Sequence, residues 1–142
     1  MAVRKSEAEW LGTLKEGKGK MKLGSGAYEG AYSFASRFEE GSGTNPEELI
    51  GAAHAGCFSM AFSGNLTKAG HNPENIVTVA TVTLGTIDGN ARITGIHLDC
   101  EVKVGGIDED AFQKMAEATK TTCPVSVALS NVPMTLEAKL IN

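Results

Sequence analysis

The fold is decided by the stretch Thr44-Asn-Pro-Glu-Glu-Leu-Ile-Gly-Ala-Ala-His-Ala-Gly-Cys-Phe-Ser-Met-Ala-Phe-Ser-Gly-Asn-Leu-Thr-Lys-Ala-Gly70. Its first residues are typical of a helix start, because Asn45 can cap the backbone, Pro46 suits the first helical position and two glutamates follow in the first turn. Its last residues are typical of a helix end, because Lys68 suits the negative pole of the helix dipole and Gly70 can adopt a left-handed conformation. We therefore predict one helix, roughly 36 Å long, over this stretch.

The interior of this predicted helix carries no charged residue between Leu49 and Thr67, apart from whatever charge His54 holds. A helix that is apolar on all sides is expected to be buried through most of its length. A 142-residue domain is too small to wrap such a helix easily, so we expect a second chain to help cover it. A membrane span is disfavoured, because glycine, serine and asparagine dilute the hydrophobicity and no basic or aromatic belt flanks the segment.

Length, charge and cysteine content limit the class of protein. At 142 residues we expect one domain, residues 1–142, with a core of its own. The net charge of −4 and the lack of a basic run argue against nucleic acid or an anionic membrane surface as partner. No apolar leader follows the N-terminus, and three cysteines do not suit a secreted disulfide framework. The expected location is the cytoplasm, and the expected state of the cysteines is the free thiol.

The remaining segments indicate an α+β fold. Alternating β-branched and apolar residues predict strands, and Asp88-Gly89-Asn90 is a strong hairpin signal. An amphipathic pattern from Ile107 predicts a helix, which Pro124 must interrupt. The predicted order is three strands within residues 6–38, a strand end and flexible loop at 36–43, the long helix, strands at 76–84 and 91–104, a helix from 107, a short helix from 124, and a closing strand from 134 to 140.

Once metal and phosphate sites are set aside, the residue pattern leaves thiol chemistry as the open possibility. There is no C-x-x-C or H-E-x-x-H motif, and no glycine-rich loop stands before a helix, so neither a metal site nor a phosphate site is expected. Cys100 alternates with polar residues on the apolar face of a strand, which indicates a packing role. Cys57 and Cys123 each lie on or at a predicted helix. A peroxide-reducing thiol needs a thiolate, a cation that lowers its pKa and a second thiol.

The cation for such a site has one clear candidate. Arg37 precedes the loop that leads into the long helix, and Glu47 or Glu48 can hold its guanidinium by a bidentate pair. Taken alone, one spare arginine and two buried cysteines favour a purely structural role. Local physics would also select Cys123 as the nucleophile, because its position at a helix N-terminus lowers a thiol pKa, whereas burial in mid-helix raises that of Cys57.

Two motifs favour a catalytic role over a purely structural one, because they resemble motifs of a known protein family. Residues 44–61 closely resemble the signature of the osmotically inducible protein C (OsmC) and organic hydroperoxide resistance family, and Cys123-Pro-Val-Ser126 resembles its second cysteine motif. The resemblance implies a thiol-dependent peroxidase that uses no metal, haem or flavin. It matches Cys57 to the peroxidatic cysteine, Cys123 to the resolving cysteine with which it forms a disulfide, and Glu47 and Arg37 to the family's glutamate and arginine. The position of Arg37, with no arginine between Lys5 and Ser36, points to the osmotically inducible branch.

The same resemblance implies an OsmC-like intertwined homodimer, with long central helices enclosed by antiparallel-rich sheets. Its implied partners are organic hydroperoxides, with hydrogen peroxide as a further substrate, and a dithiol or lipoyl group as external reductant. Glu47 and Cys57 are ten residues apart, so one straight helix separates them by roughly 15 Å and they cannot touch within one chain. We therefore expect composite sites, in which the helices of two subunits cross antiparallel near Ala52.

Other classes of function remain alternatives at this point. A non-catalytic, stress-associated dimer that binds a small apolar ligand would use the same cysteines only for packing. A general disulfide oxidoreductase is disfavoured by the missing C-x-x-C motif. Several apolar residues are candidates for a substrate entrance, although each is individually more typical of core: Phe34, Phe38, Phe58, Met60 and Phe62.

Overall fold

A computed structural model describes residues 1–141 of the chain. Its elements follow the predicted α+β order, with one additional short helix. They are β1 (Ser6–Leu11), β2 (Lys18–Leu23), β3 (Glu29–Tyr32), α1 (Phe34–Phe38), α2 (Pro46–Lys68), β4 (Asn75–Ile87), β5 (Asn90–Lys103), α3 (Glu109–Thr122), α4 (Pro124–Ala128) and β6 (Met134–Ile141). The chain divides into two compact units, residues 1–49 and the residues from 50 onward. The interpretation of residues 1–142 as one domain stays a prediction.

Within residues 1–49, the three predicted strands form an antiparallel sheet in the order β1-β2-β3. The prediction of a strand end and loop at residues 36–43 was wrong in its first part, because Phe34–Phe38 is a helix. Its start is stabilised by a reciprocal cap, in which Ser33 Oγ accepts the backbone N–H of Ser36 and Ser36 Oγ accepts that of Ser33. Serine in place of the usual glutamate or glutamine at the third helical position made this signal easy to miss.

The predicted long helix is confirmed, and it ends two residues before Gly70. Asn45 Oδ1 accepts the backbone N–H of Glu48 at 2.8 Å, as an N-cap does. At the other end Gly70 has a φ of 89°, and the N–H of His71 donates to the carbonyl of Leu66 at 2.9 Å. This left-handed turn satisfies a terminal carbonyl, which explains why the helix ends there.

From residue 50 onward, the second sheet has the order β4-β5-β6. The predicted hairpin turn is confirmed, since Asp88 and Gly89 both have positive φ values, 51° and 77°. β5 and β6 run parallel, because the two helices between them return the chain to the same end of the sheet. The fully buried apolar residues of this sheet lie on the inward face of β5, as the alternation of apolar and polar residues in its sequence predicted. They are Ile96, Leu98, Cys100 and Val102, with Val104 just beyond the strand.

One face of α2 packs into this core, and the opposite face does not. Phe58, Phe62 and Leu66 are fully buried, and the ring of Phe62 lies 5.4 Å from that of Phe112 on α3. The opposite face is exposed and consists mainly of small residues, with Met60 at 81% exposure. One sheet can cover only one side of a helix, so the single chain leaves this face exposed, and the expectation that a second chain helps to cover α2 stays a prediction.

Small residues lie on both the buried and the exposed face of α2. Gly51 faces β4, where a Cβ atom would lie only 3.3 Å from the carbonyl oxygen of Ala80, so this glycine allows close packing inside the chain. Gly56 and Gly64 lie on the exposed face with open space around them.

Among residues 1–141, no helix has both the length and the apolar character needed to cross a membrane.

Candidate active site

The two cysteines selected from the sequence lie side by side. Cys57 is in the middle of α2 and Cys123 is the N-cap of α4, where Pro124 occupies the first helical position as predicted. Both are free thiols, and their sulfur atoms are 3.1 Å apart. A disulfide bond requires about 2.05 Å, so the sulfurs need to approach by roughly 1 Å to form one.

The two thiols differ in acidity, in the direction that local physics predicts. Burial raises the pKa of Cys57, and the neighbouring Cys123 raises it further against the opposing effect of the Val125 backbone N–H. Burial also acts to raise the pKa of Cys123, but the hydroxyl and backbone N–H of Ser126, together with Cys57 and the Val125 N–H, outweigh it and lower that pKa. Within residues 50–141, Cys123 is thus the more acidic thiol of the pair.

A buried histidine and serine lie next to this pair. His54 Nε2 and Ser126 Oγ are 2.8 Å apart, and their residues are 0% and 4% exposed. Burial lowers the pKa of His54, which favours the neutral imidazole. Both residues fall inside the two sequence motifs, yet residue pattern alone did not assign either of them a role. The signal available was their spacing, since each lies three residues from one of the cysteines.

Arg37 and Glu47 form the second predicted pair, within residues 1–49. Arg37 Nη2 donates to Glu47 Oε1 at 2.7 Å, and Nε lies 3.2 and 3.3 Å from the two carboxylate oxygens. The Glu47 carboxylate is largely buried, whereas the Arg37 side chain is about one-third exposed. The predicted bidentate pair is confirmed, and Glu47 rather than Glu48 is the partner; Glu48 accepts the Thr44 hydroxyl instead.

The loop between α1 and α2 holds this ion pair in place. Ser36 Oγ donates to the carbonyl of Thr44 at 2.7 Å, and Asn45 Nδ2 donates to the carbonyl of Ser36 at 3.0 Å. These bonds fold the loop back onto α1 and bring Arg37, in the last turn of α1, beside Glu47, in the first turn of α2. The loop therefore places the two residues side by side, and the carboxylate orients the guanidinium.

An apolar cavity of about 370 Å³ lies beside Arg37 within the same unit. Of the predicted entrance residues, Phe34 and Phe38 line it, and the Arg37 guanidinium stacks 5.4 Å from the Phe38 ring. Phe58 and Phe62 are fully buried core instead, because they face β5 and α3. The rest of the lining comes from β1, β3 and their loops: Trp10, Gly12, Leu14, Tyr32 and Ser33.

Cys100 is a packing residue in this structure, as predicted. It is fully buried in the core, and Thr78 Oγ1 donates to its sulfur at 3.4 Å. Burial raises its pKa, so it is a poor nucleophile near neutral pH.

Replacing this residue is a test of that role. We expect Cys100→Ala to leave peroxide consumption unchanged and to lower the free energy of unfolding by about 1 kcal/mol, because only a small apolar group leaves the core. Urea unfolding measures the stability, and turnover with a dithiol measures the activity. Loss of turnover in a folded Cys100→Ala protein would instead assign this thiol a redox role.

One group of potential metal ligands occurs among residues 1–141. His97, Asp99 and Glu137 place three ligand atoms within 4.8 Å of one another, because Asp99 and Glu137 are direct neighbours on the parallel strands β5 and β6. The sequence pattern did not indicate this grouping. Both carboxylates are exposed, and such acidic groups are common on protein surfaces, so we assign no metal to it.

The four site residues selected from the sequence thus form two close pairs, one in each compact unit. Solved structures of other proteins have a similar fold. An OsmC structure from Legionella pneumophila, described as an organic hydroperoxide resistance protein, matches with a TM-score of 0.78 at 22% identity, covering 98% of this chain and 99% of that one. The organic hydroperoxide resistance protein OhrB of Bacillus subtilis matches with a TM-score of 0.68 at 23% identity, covering 95% and 98%.

Sequence relatives identify the family more closely. The profile of the OsmC-like protein family matches residues 39–137. Peroxiredoxin OsmC of Escherichia coli strain K12 is 46% identical over 138 residues, 96% of each chain. The organic hydroperoxide resistance protein of Xanthomonas axonopodis pathovar citri is 31% identical over 98 residues, 68% of this chain and 67% of that one. The chain belongs to the OsmC-like family, and the higher identity agrees with the predicted osmotically inducible branch.

Proposed function

We propose that this protein is a thiol-dependent peroxidase that reduces organic hydroperoxides, with hydrogen peroxide as a further substrate. The observation that carries the proposal is the 3.1 Å separation of the Cys57 and Cys123 sulfurs, both of them free thiols. Relatives that are named peroxiredoxin and organic hydroperoxide resistance protein support the same class of reaction. The apolar cavity beside Arg37 supports a substrate with an apolar organic group.

The proposed reaction uses the two thiols in sequence. The Cys57 thiolate attacks the terminal oxygen of the hydroperoxide, the O–O bond breaks, and the departing alkoxide takes up a proton to leave as an alcohol. Cys57 is then a sulfenic acid. The Cys123 sulfur attacks the Cys57 sulfur, the S–O bond breaks, and water leaves with the Cys123 proton. An external dithiol reduces the resulting disulfide by thiol–disulfide exchange.

Arg37 has the role of activating Cys57 in this proposal. The pKa of Cys57 is raised within its own surroundings, so a cation is needed to stabilise its thiolate and the departing alkoxide. The bidentate contact to Glu47 leaves the guanidinium charged and oriented for that purpose. Because Glu47 and Cys57 lie ten residues apart on α2, we propose that the arginine and glutamate act on the Cys57 of a partner subunit.

The exposed face of α2 supports the homodimer that this arrangement requires. Ala52, Ala53, Gly56 and Gly64 allow close approach of a second helix, and the exposed Met60 supplies an adaptable apolar contact. We propose an intertwined dimer in which two α2 helices cross near Ala52. Gly51, the residue before Ala52, faces β4 of its own chain instead.

The proposed electron source is an external dithiol, with a protein-bound lipoyl group as the physiological candidate, and the proposed location is the cytoplasm. The proposed chemistry is carried by sulfur alone and uses no metal, haem or flavin. The alternative function is a non-catalytic dimer that binds a small apolar ligand. One observation favours it, the apolar cavity beside Arg37.

Oxidation of the reduced protein by one equivalent of cumene hydroperoxide separates these functions. We expect the loss of two thiols, a mass decrease of two hydrogens, and a Cys57–Cys123 cross-link in the peptide map, because the sulfurs are already in contact. A dithiol should restore the starting mass and allow continuous turnover. Cys100 is the internal control and should stay reduced. An unchanged mass, or turnover no faster than with the dithiol alone, would leave only the ligand-binding function.

A further inference from the structure

The His54–Ser126 contact runs beside the cysteine pair and joins the same two helices. His54 and Cys57 are three residues apart on α2, and Cys123 and Ser126 are three residues apart at the start of α4, so both pairs lie within one helical turn. The 2.8 Å contact between His54 Nε2 and Ser126 Oγ therefore holds the first turn of α4 against α2. The same turn carries the Cys123 sulfur, which lies 3.1 Å from Cys57.

The environment of His54 determines how protons are arranged in this contact. The imidazole is fully buried, and its Nδ1 has no hydrogen-bond partner in the described part of the chain. A proton on Nδ1 would leave a buried donor unsatisfied, which costs more than an unused lone pair. The favoured tautomer therefore carries its proton on Nε2 and donates it to Ser126 Oγ. The single hydroxyl hydrogen of Ser126 is then available for the hydrogen bond to Cys123 that lowers the pKa of this thiol.

We propose that His54 and Ser126 are positioning residues for the resolving step, in which they orient the serine hydroxyl toward Cys123 and stabilise its thiolate as it attacks the oxidised Cys57. This inference rests on the proposed peroxidase function and assigns it two further residues. In that step the bond between the two sulfurs forms, the S–O bond of the sulfenic acid breaks, and the departing hydroxide takes up the proton that Cys123 lost on ionisation, so that it leaves as water. Ser126 and His54 keep their protons, so they are not consumed in the cycle.

The charges around the pair are consistent with this assignment. From α2, the titratable groups that face Cys123 and Ser126 are Cys57 and His54 itself. From α3, Lys120 lines the surface cavity next to Ser126, and its ammonium is paired with Glu117 at 3.1 Å. The sequence of α4, Pro-Val-Ser-Val-Ala, carries no charge. Ser126 is therefore the group whose removal should change the acidity of Cys123 most directly.

Thiolate titration of Cys123 tests the proposal without any peroxide. In a Cys57→Ser/Cys100→Ala background Cys123 is the only remaining thiol, and its thiolate absorbs in the ultraviolet. We expect Ser126→Ala to raise its pKa by about one unit, which lowers the thiolate fraction about tenfold below that pKa. His54→Leu should shift it in the same direction, whereas His54→Gln, whose amide can still donate to Ser126, should restore most of the effect.

A single-turnover experiment in the otherwise intact protein tests the step itself. Rapid mixing with cumene hydroperoxide and acid quenching should show peroxide consumption within about twofold of normal in Ser126→Ala, whereas disulfide closure slows about tenfold and a sulfenic acid accumulates. Ser59→Ala is the matched control, since it removes a hydroxyl that contacts Thr78 at 2.7 Å on the same helix. It should change neither rate.

The outcomes separate this inference from the proposed function. An unchanged Cys123 pKa in Ser126→Ala, or equal losses in both steps, would overturn the positioning role while the peroxidase stands. If the wild type consumes no peroxide, the proposed function fails, and the inference, as a statement about the resolving step, fails with it. A raised Cys123 pKa in that case would show only that Ser126 and His54 set the acidity of this thiol.

Discussion

Cys57→Ser is expected to abolish peroxide reduction, whereas Cys123→Ser is expected to consume one equivalent of peroxide and then stop. The first change removes the sulfur that attacks the peroxide, so the rate should fall by about three orders of magnitude or more. The second removes only the thiol that closes the disulfide, so Cys57 should reach the sulfenic acid and remain there. Stoichiometric consumption of cumene hydroperoxide in the absence of dithiol, followed by trapping of the sulfenic acid with dimedone, measures both expectations.

The reverse result has a clear physical meaning. Within residues 50–141 the pKa of Cys123 is lowered and that of Cys57 is raised, so local electrostatics alone favour Cys123 as nucleophile. If Cys123→Ser is inert and Cys57→Ser still consumes one equivalent, the order of the thiols is reversed and Arg37 does not act on Cys57. Cys100→Ala, which leaves both thiols in place, is the control for general effects of removing a cysteine.

Arg37→Ala is expected to slow the oxidation of Cys57 by about 10²–10³-fold, the usual cost of losing one preorganised charge-stabilising donor at a developing anion. Arg37→Lys keeps the charge but loses the planar fork that binds Glu47 through two nitrogens, so an intermediate rate is expected. Glu47→Gln keeps the shape of the partner and removes its charge, and should reduce the rate less than Arg37→Ala. Single-turnover oxidation of Cys57 is the measurement, with Lys103→Ala as an exposed-cation control.

Mixed dimers show which subunit supplies the arginine. Co-expression of a Cys57→Ser chain with an Arg37→Ala chain, each with its own affinity tag, gives a dimer that holds one intact cysteine and one intact arginine in different chains. If the proposed composite site is correct, one of the two sites is complete and about half of the wild-type activity returns. If each site is built within one chain, the mixed dimer is as inactive as its parents.

Local patterns in the sequence were sufficient for most of the fold. The caps at Asn45 and Gly70, the turn at Asp88-Gly89 and the alternation of β5 each depend on residues within a few positions of one another, and all were found where predicted. Helix ends, tight turns and strand faces are short-range properties, so a single sequence can specify them. The helix α1 was missed although its cap is also local, because serine occupies the position where the usual capping signal has an acidic or amide residue.

Residue types and a family resemblance selected the candidate site, and tertiary structure decided its geometry. The residues by themselves offered Cys57, Cys123 and Arg37, with Glu47 or Glu48 as the partner of the arginine, and one helix long and apolar enough to require a second chain; the resemblance then selected Glu47 and assigned the roles. Only folding decided that the sulfurs lie 3.1 Å apart, that Glu47 rather than Glu48 holds Arg37, and that His54 meets Ser126 across 72 residues of chain. Such contacts depend on how α2, α4 and the loops pack, and packing distances of a few ångströms are not encoded by the spacing of residues along the chain.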